Sequence, residues 1–187
     1  MQGHKDSPLT DNGIQQAKEI AKKLRHINFS NVFSSDLQRA VRTAEIIVAD
    51  RNLEVRTSQL LRESYFGLFE GKELAFFLNT LKKSIEHRET LSSDERMKYK
   101  VHPQVESEEE ISTRMMTFLK DVAPQHEGEN VLVVSHSAVM RATLIKIGFA
   151  THDSLPQGVI KNAGCVVIET DGSEFTVTET LGIEIGA

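Results

Sequence analysis

The sequence predicts an α/β fold built on a mostly parallel sheet, and three patterns predict it. The first is the apolar run Val131, Leu132, Val133 and Val134, which stops at Ser135-His136-Ser137 before Val139, Thr143 and Ile147 recur at helical spacing. A continuous apolar run of this length reads as a strand covered on both faces, the usual case in a parallel sheet. The second is a strand at 31–35, a helix over 36–50 marked by Leu37, Ala40, Val41, Ala44, Ile47 and Val48, and a strand at 54–60. Strand, helix and strand with such short joins form a βαβ unit, which implies parallel pairing and a right-handed crossover. The third is a pair of alternating segments, 164–170 and 174–181, around Asp171-Gly172, a β-hairpin pattern.

The remaining elements follow in order. The opening 1–13 is turn-rich, with Gly3, Pro8, Asn12 and Gly13 interrupting regular structure, and Thr10 or Asp11 is placed to cap the next helix. That helix shows Ile14, Ala17, Ile20, Ala21 and Leu24 at spacings of three and four. From Glu73 the character changes: Leu74, Phe76, Phe77, Leu78 and Leu81 precede the charged tract 82–100. Residues 73–105 read as a helical insertion, mobile at its tip, within a single domain spanning 1–187. Ser107 and Glu110 form a capping box for a helix whose apolar face is Ile111, Met115, Phe118, Leu119 and Val122.

Composition narrows the class. With 39% hydrophobic and 26% charged residues the chain is an ordinary globular one, long enough to bury a core. A net charge of −5 and the lack of a basic cluster with interleaved aromatics argue against nucleic acid as a partner. No apolar run approaches membrane-spanning length and the start carries no signal-peptide pattern. The lone Cys165 reads as a core strand residue in a reducing compartment, so a cytoplasmic location is expected.

Three polar segments occupy one structural position. Ser34-Ser35-Asp36-Leu37-Gln38-Arg39, Arg62-Glu63 and Ser135-His136-Ser137 each follow a strand, so parallel pairing places all three on the carboxyl-end rim of the sheet, where open α/β sheets bind ligands. The first amides of the helix after His136 have no helical partners and favour an anion. Two readings are open for His136: contact with such an anion, or merely capping that helix or bonding to a neighbour. Arg39 lies in the first turn of its helix and can swing over the rim; Arg42, one turn on, is the competing candidate. A guanidinium, an imidazole and a carboxyl group converging there suit a phosphate monoester.

At these residues the chain resembles the histidine phosphatase superfamily, the phosphoglycerate mutase-like family. Gln2-Gly3-His4-Lys5-Asp6-Ser7-Pro8-Leu9-Thr10, with Gly13 and Gln16-Ala17, is similar to the segment after that family's first loop. Ser34 to Ala40 with Thr43-Ala44 resembles its second-arginine motif, Leu61-Arg62-Glu63 through Phe66-Gly67 and Glu70-Gly71-Lys72 its general-acid segment, and Val133-Val134-Ser135-His136 its second-histidine motif. The resemblance implies a three-layer α/β/α sandwich in which Arg39 and His136 hold the phosphoryl group and Glu63 donates a proton to the leaving group. Ser137 stands where the family usually has glycine; its backbone N–H would still face the substrate.

The resemblance also implies a first strand ending in Arg-His-Gly, beside the strand of His136, whose histidine is the nucleophile. No such motif occurs in this sequence. His4 matches a different family position, and His26, His87, His102, His126 and His152 lie in helix-end, charged or loop stretches, so all six read as surface residues. The expectation is therefore a phosphatase of small phosphate monoesters, of sugar phosphate or phosphoglycerate type, working through phosphohistidine when complete, and inactive as given because the first strand is missing through truncation. The alternatives are a non-catalytic phosphate-binding or regulatory relative, and a phosphoglycerate mutase, which the modest length of 73–105 disfavours. No metal or cofactor is implied; the expected partners are a small phosphorylated metabolite and, for assembly, a second copy of the chain in a homodimer.

Overall fold

The computed structural model describes residues 1–186; Ala187, the expected end of the domain, lies outside the described residues. After a looped start, α1 (Asp11–Lys23) leads to β1 (Phe29–Ser35), α2 (Gln38–Ile47) and β2 (Val55–Ser58). Three short helices follow, α3 (Leu74–Thr80), α4 (Lys82–Glu89) and α5 (Ser93–Lys98), then α6 (Glu108–Val122), β3 (Asn130–Val134), α7 (Ser137–Lys146) and the strands β4 (Ile160–Thr170) and β5 (Phe175–Ile183).

The expected parallel sheet is present, in the order β2-β1-β3, with Val32 opposite both Val55 and Leu132. Alternation along β1 and β3 sorts their side chains to two faces. Val32, Leu132 and Val134 pack with Ile20 and Leu24 of α1 and Ala44 and Ile47 of α2. Phe33, Val131 and Val133 pack with Ile111, Met115 and Phe118 of α6 and Val139 and Ala142 of α7. Two helices on each face make the three-layer α/β/α arrangement. The helix starts are the expected ones: the Thr10 hydroxyl accepts from Gly13 N–H at 3.1 Å, and Ser107 and Glu110 cap one another at the start of α6.

The C-terminal strands form their own antiparallel pair, closed by the four residues 171–174. The Asp171 carboxylate accepts from the N–H groups of Ser173 and Glu174, which holds it at about 2, below the usual carboxylate range. Among the described residues, the edge of β3 away from β1 has no strand partner, and neither does the edge of β4 away from β5. α1 and α7 nevertheless both touch β4, and Cys165 packs into the α1 side of the core, so helices on either face span the break. This is why Val131, Val133 and Val134 are half-buried where the sequence predicts a fully covered strand.

Two further differences are local. β2 ends at Ser58, whose hydroxyl accepts from Leu60 N–H at 3.3 Å and turns 59–61 into a 3₁₀ helix instead of strand. The stretch 73–105 holds α3, α4 and α5, and its tip meets the body: Ser93 lies 3.1 Å from His152, and Arg88 and Arg141 both pair with Glu108.

Candidate active site

Parallel pairing levels the strand ends. Ser35 faces Ser58, and Ser34 faces both Thr57 and Val134, so Asp36, the Arg62-Glu63 segment and His136 leave the sheet along one rim. Arg62 grips Asp36 with two bonds, Nε to Oδ1 at 2.7 Å and Nη2 to Oδ2 at 2.6 Å, which joins the ends of β1 and β2. The pairing lowers the Asp36 carboxyl and raises the Arg62 guanidinium, stabilising both charges.

The N-terminal loop lies across this rim. His4 Nε2 meets the Glu63 carbonyl oxygen at 2.8 Å, His4 N–H donates to Glu70 Oε1 at 2.8 Å, and Gly71 N–H donates to the Met1 carbonyl at 2.8 Å. Gly3 has φ +56°, and a Cβ there would collide with the Glu70 carboxylate, so both backbone and space favour glycine. Asp6 accepts from Gln38 N–H at 3.0 Å and so serves as the cap of α2, whose own preceding residue, Leu37, has no side-chain acceptor.

Arg39 is drawn into this loop. Its Nη2 donates to the Gly3 carbonyl at 2.7 Å and its Nη1 to the Lys5 carbonyl at 3.3 Å. Two of its five N–H donors are thus directed at backbone oxygens, and Nη1 also lies 4.0 Å from Asp6 Oδ1. Arg42 is excluded as the rim arginine: it is exposed and pairs with Glu45 at 2.9 Å.

Glu63 is enclosed, and burial pushes its carboxyl up; opposing this, in order, are the N–H groups of Ser64 and Ala138, the Arg39 charge and the N–H of Val139. The anion-favouring start of α7 is therefore faced by the carboxyl group of Glu63. His136 precedes α7 but makes no capping bond, which removes the capping alternative. Its Nε2 is buried without a hydrogen-bond partner. Burial first, then the charges of Arg39, His4 and Arg114, lower its imidazole from 6.5 to about 3, so it is neutral near pH 7. The expected positive charge on His136 is accordingly missing near pH 7. Ser137 opens α7 and is exposed at its first turn.

Arg39 and Glu63 are joined through the N-terminal loop, by way of Gly3 and His4, and His136 leaves the same rim. The histidines do not all lie at the surface. His4 is a half-buried member of the site because the loop folds back over Glu63. His152 is 5% exposed and bonds Glu108 Oε2 at 2.8 Å, and His126 bonds Glu129 at 2.9 Å; both partners are polar groups that sequence patterning did not connect to them. Arg114 was also missed. Its signal was its place, three residues after Ile111 and four before Phe118, a charge beside the buried stripe of α6.

Comparison with known proteins agrees with this architecture. The chain is 36% identical over 144 residues to phosphoglycerate mutase-like protein 4 of Arabidopsis thaliana, covering 76% of this chain and 61% of that protein, less than two thirds of its length. It is 28% identical over 145 residues to the adenosylcobalamin/alpha-ribazole phosphatase of Escherichia coli, covering 78% and 69% of the two chains. The crystal structure of phosphoglycerate mutase from Bacillus anthracis superposes with a TM-score of 0.83 at 27% identity, over 98% of this chain and 85% of that one. No described helix is long and apolar enough to cross a membrane. The family model of the histidine phosphatase superfamily (branch 1) matches residues 1–181, and the chain belongs to that superfamily.

Proposed function

We propose that this chain carries the phosphoryl-binding and proton-donating groups of a phosphatase that hydrolyses small phosphate monoesters, of sugar phosphate or phosphoglycerate type, through a phosphohistidine. What supports the reading is that Arg39, Glu63 and His136 follow the carboxyl ends of three parallel strands, with the N-terminal loop bonded to both Arg39 and Glu63 and the Nε2 of His136 buried without a partner. The nucleophilic imidazole belongs to a strand ending in Arg-His-Gly, seated between the unpaired edges of β3 and β4, so residues 1–187 alone do not turn over substrate. The open edge of β3, the strand that leads into His136, supports that placement.

In the first step the nucleophilic nitrogen attacks phosphorus, the ester P–O bond breaks, and the Glu63 carboxylic acid gives its proton to the departing oxygen. In the second, the Glu63 carboxylate takes a proton from water as that water attacks phosphorus; the P–N bond breaks and phosphate leaves. A carboxyl kept above its ordinary range by burial suits the first role. Arg39 and His136 offer N–H donors to the phosphoryl oxygens, which gather charge in the transition state. Residues 73–105, whose Phe77 and Leu81 pack with Phe66 and Phe69, form the lid that selects the ester, and the single half-buried Cys165 fits the cytoplasm as the working compartment.

The test is hydrolysis of p-nitrophenyl phosphate by residues 1–187 and by the same chain preceded by a strand ending in Arg-His-Gly. Turnover by the longer chain alone, with a trapped phosphohistidine and loss in Arg39→Ala, is expected. Hydrolysis by residues 1–187 that His136→Ala abolishes would place the nucleophile within this chain, and inactivity of both chains would remove the phosphatase reading. Transfer of phosphate between positions of a phosphoglycerate, without release to water, would identify a mutase.

A further inference from the structure

Arg114 projects from the first half of α6 beneath the segment that carries Glu63. Its Nε donates to Glu106 Oε1 at 3.0 Å, its Nη1 to the carbonyls of Leu60 at 2.9 Å and Arg62 at 3.1 Å, and its Nη2 to the Glu63 carbonyl at 3.2 Å and Glu106 Oε2 at 3.0 Å. Five bonds match the five N–H donors a guanidinium has. Glu106 completes the grip: its Oε2 accepts from Tyr65 N–H at 2.8 Å and its own N–H donates to the Tyr65 carbonyl at 3.0 Å. One ion pair thereby ties down the backbone of residues 60, 62, 63 and 65.

Those residues need it. They lie around an irregular stretch between two 3₁₀ turns, 59–61 and 67–69, where no helix or strand ladder takes up their carbonyls. We propose that Arg114, held by Glu106, is the positioning residue that keeps Glu63 enclosed against the start of α7. The role rests on reading Glu63 as the proton donor, because enclosure is what allows its carboxyl to hold a proton. Arg114 donates to no reacting atom; it acts on Glu63 through the backbone, and its charge also reaches His136. Lysine cannot replace it, since one ammonium on a flexible stem cannot reproduce a planar fork aimed at three carbonyls and a carboxylate.

The experiment follows the carboxyl carbon of Glu63 by ¹³C NMR titration of residues 1–187, with the signal assigned by Glu63→Gln. In the unaltered chain Glu63 titrates above the ordinary carboxylate range, and in Arg114→Lys its midpoint falls toward that range, while Asp36 in the same spectra stays low. Glu106→Gln, which keeps the shape but removes the charge, shifts Glu63 the same way by less. An unchanged Glu63 midpoint in folded Arg114→Lys would overturn the proposal. Where both variants fail to fold, the unaltered chain decides: four separate Nη proton signals for Arg114 support a fully engaged guanidinium, and a single rotationally averaged signal overturns it. The proton-donor reading fails separately, if Glu63→Gln leaves hydrolysis by the longer chain unaffected while Arg114→Lys still moves the Glu63 titration.

Discussion

The neutral, enclosed imidazole of His136 makes the fold acid-sensitive in a defined window. Unfolding returns His136 to its ordinary value near 6.5, whereas the folded chain holds it at about 3. Between these values the unfolded chain binds more protons, so the contribution is complete above about pH 6.5 and is lost progressively as pH falls toward 3. At pH 5 the gap from the unfolded value is about 1.5 units, which at about 1.36 kcal/mol per unit costs about 2 kcal/mol relative to pH 7.5. Glu63 acts with the opposite sign: its raised carboxyl makes the folded chain bind more protons just above the ordinary carboxylate range, so it gains stability as pH falls. The measurement is therefore a difference: urea unfolding of the unaltered chain and of His136→Asn, each at pH 7.5 and pH 5. The unaltered chain is expected to lose about 2 kcal/mol more than His136→Asn across that interval. Equal losses in the two chains would show that His136 is hydrated and titrates normally, and the enclosed site would be refuted.

Other perturbations test separate parts of the structure. Ser107→Ala removes the hydroxyl side of the capping box on α6 and should lower stability by about 1 kcal/mol in urea unfolding. Glu108→Ala strips the carboxylate from Arg141, which is 5% exposed, and from His152, and should cost about 3–5 kcal/mol, read as a fall in the urea midpoint. In the longer chain, Glu63→Gln should slow phosphohistidine formation more for esters with poor leaving groups than for p-nitrophenyl phosphate, checked by rapid quench; equal slowing would take the proton-donor role from Glu63.

What was legible in the sequence came from periodicity and local caps. The alternation of Val32 with Phe33 and of Leu132 with Val133 fixes which helices each strand meets, and the Thr10 and Ser107 starts depend on residues at most three positions away. The rim positions of Arg39, Glu63 and His136 followed because parallel strands end on the same side. The rest depends on partners distant in the chain. The N-terminal loop reads as turns, and nothing local shows that Gly3 and Lys5 would use two donors of Arg39 or that His4 would reach Glu63. The face of α7 was only partly readable: Val139 and Ala142 meet the sheet side, while Leu144 packs with Leu155 and Ile160 near the hairpin, so burial runs around the helix and blurs its period.

In the proposed phosphatase Arg39 and His136 serve one phosphoryl group, which binding of orthovanadate to residues 1–187, followed by ⁵¹V NMR, would register. A charge-assisted bond of about 1.5–3 kcal/mol implies a loss of affinity of roughly 10- to 150-fold in Arg39→Ala, and a clear loss in His136→Ala, with Arg42→Ala unchanged. Equal vanadate affinity in all four chains would contradict the account.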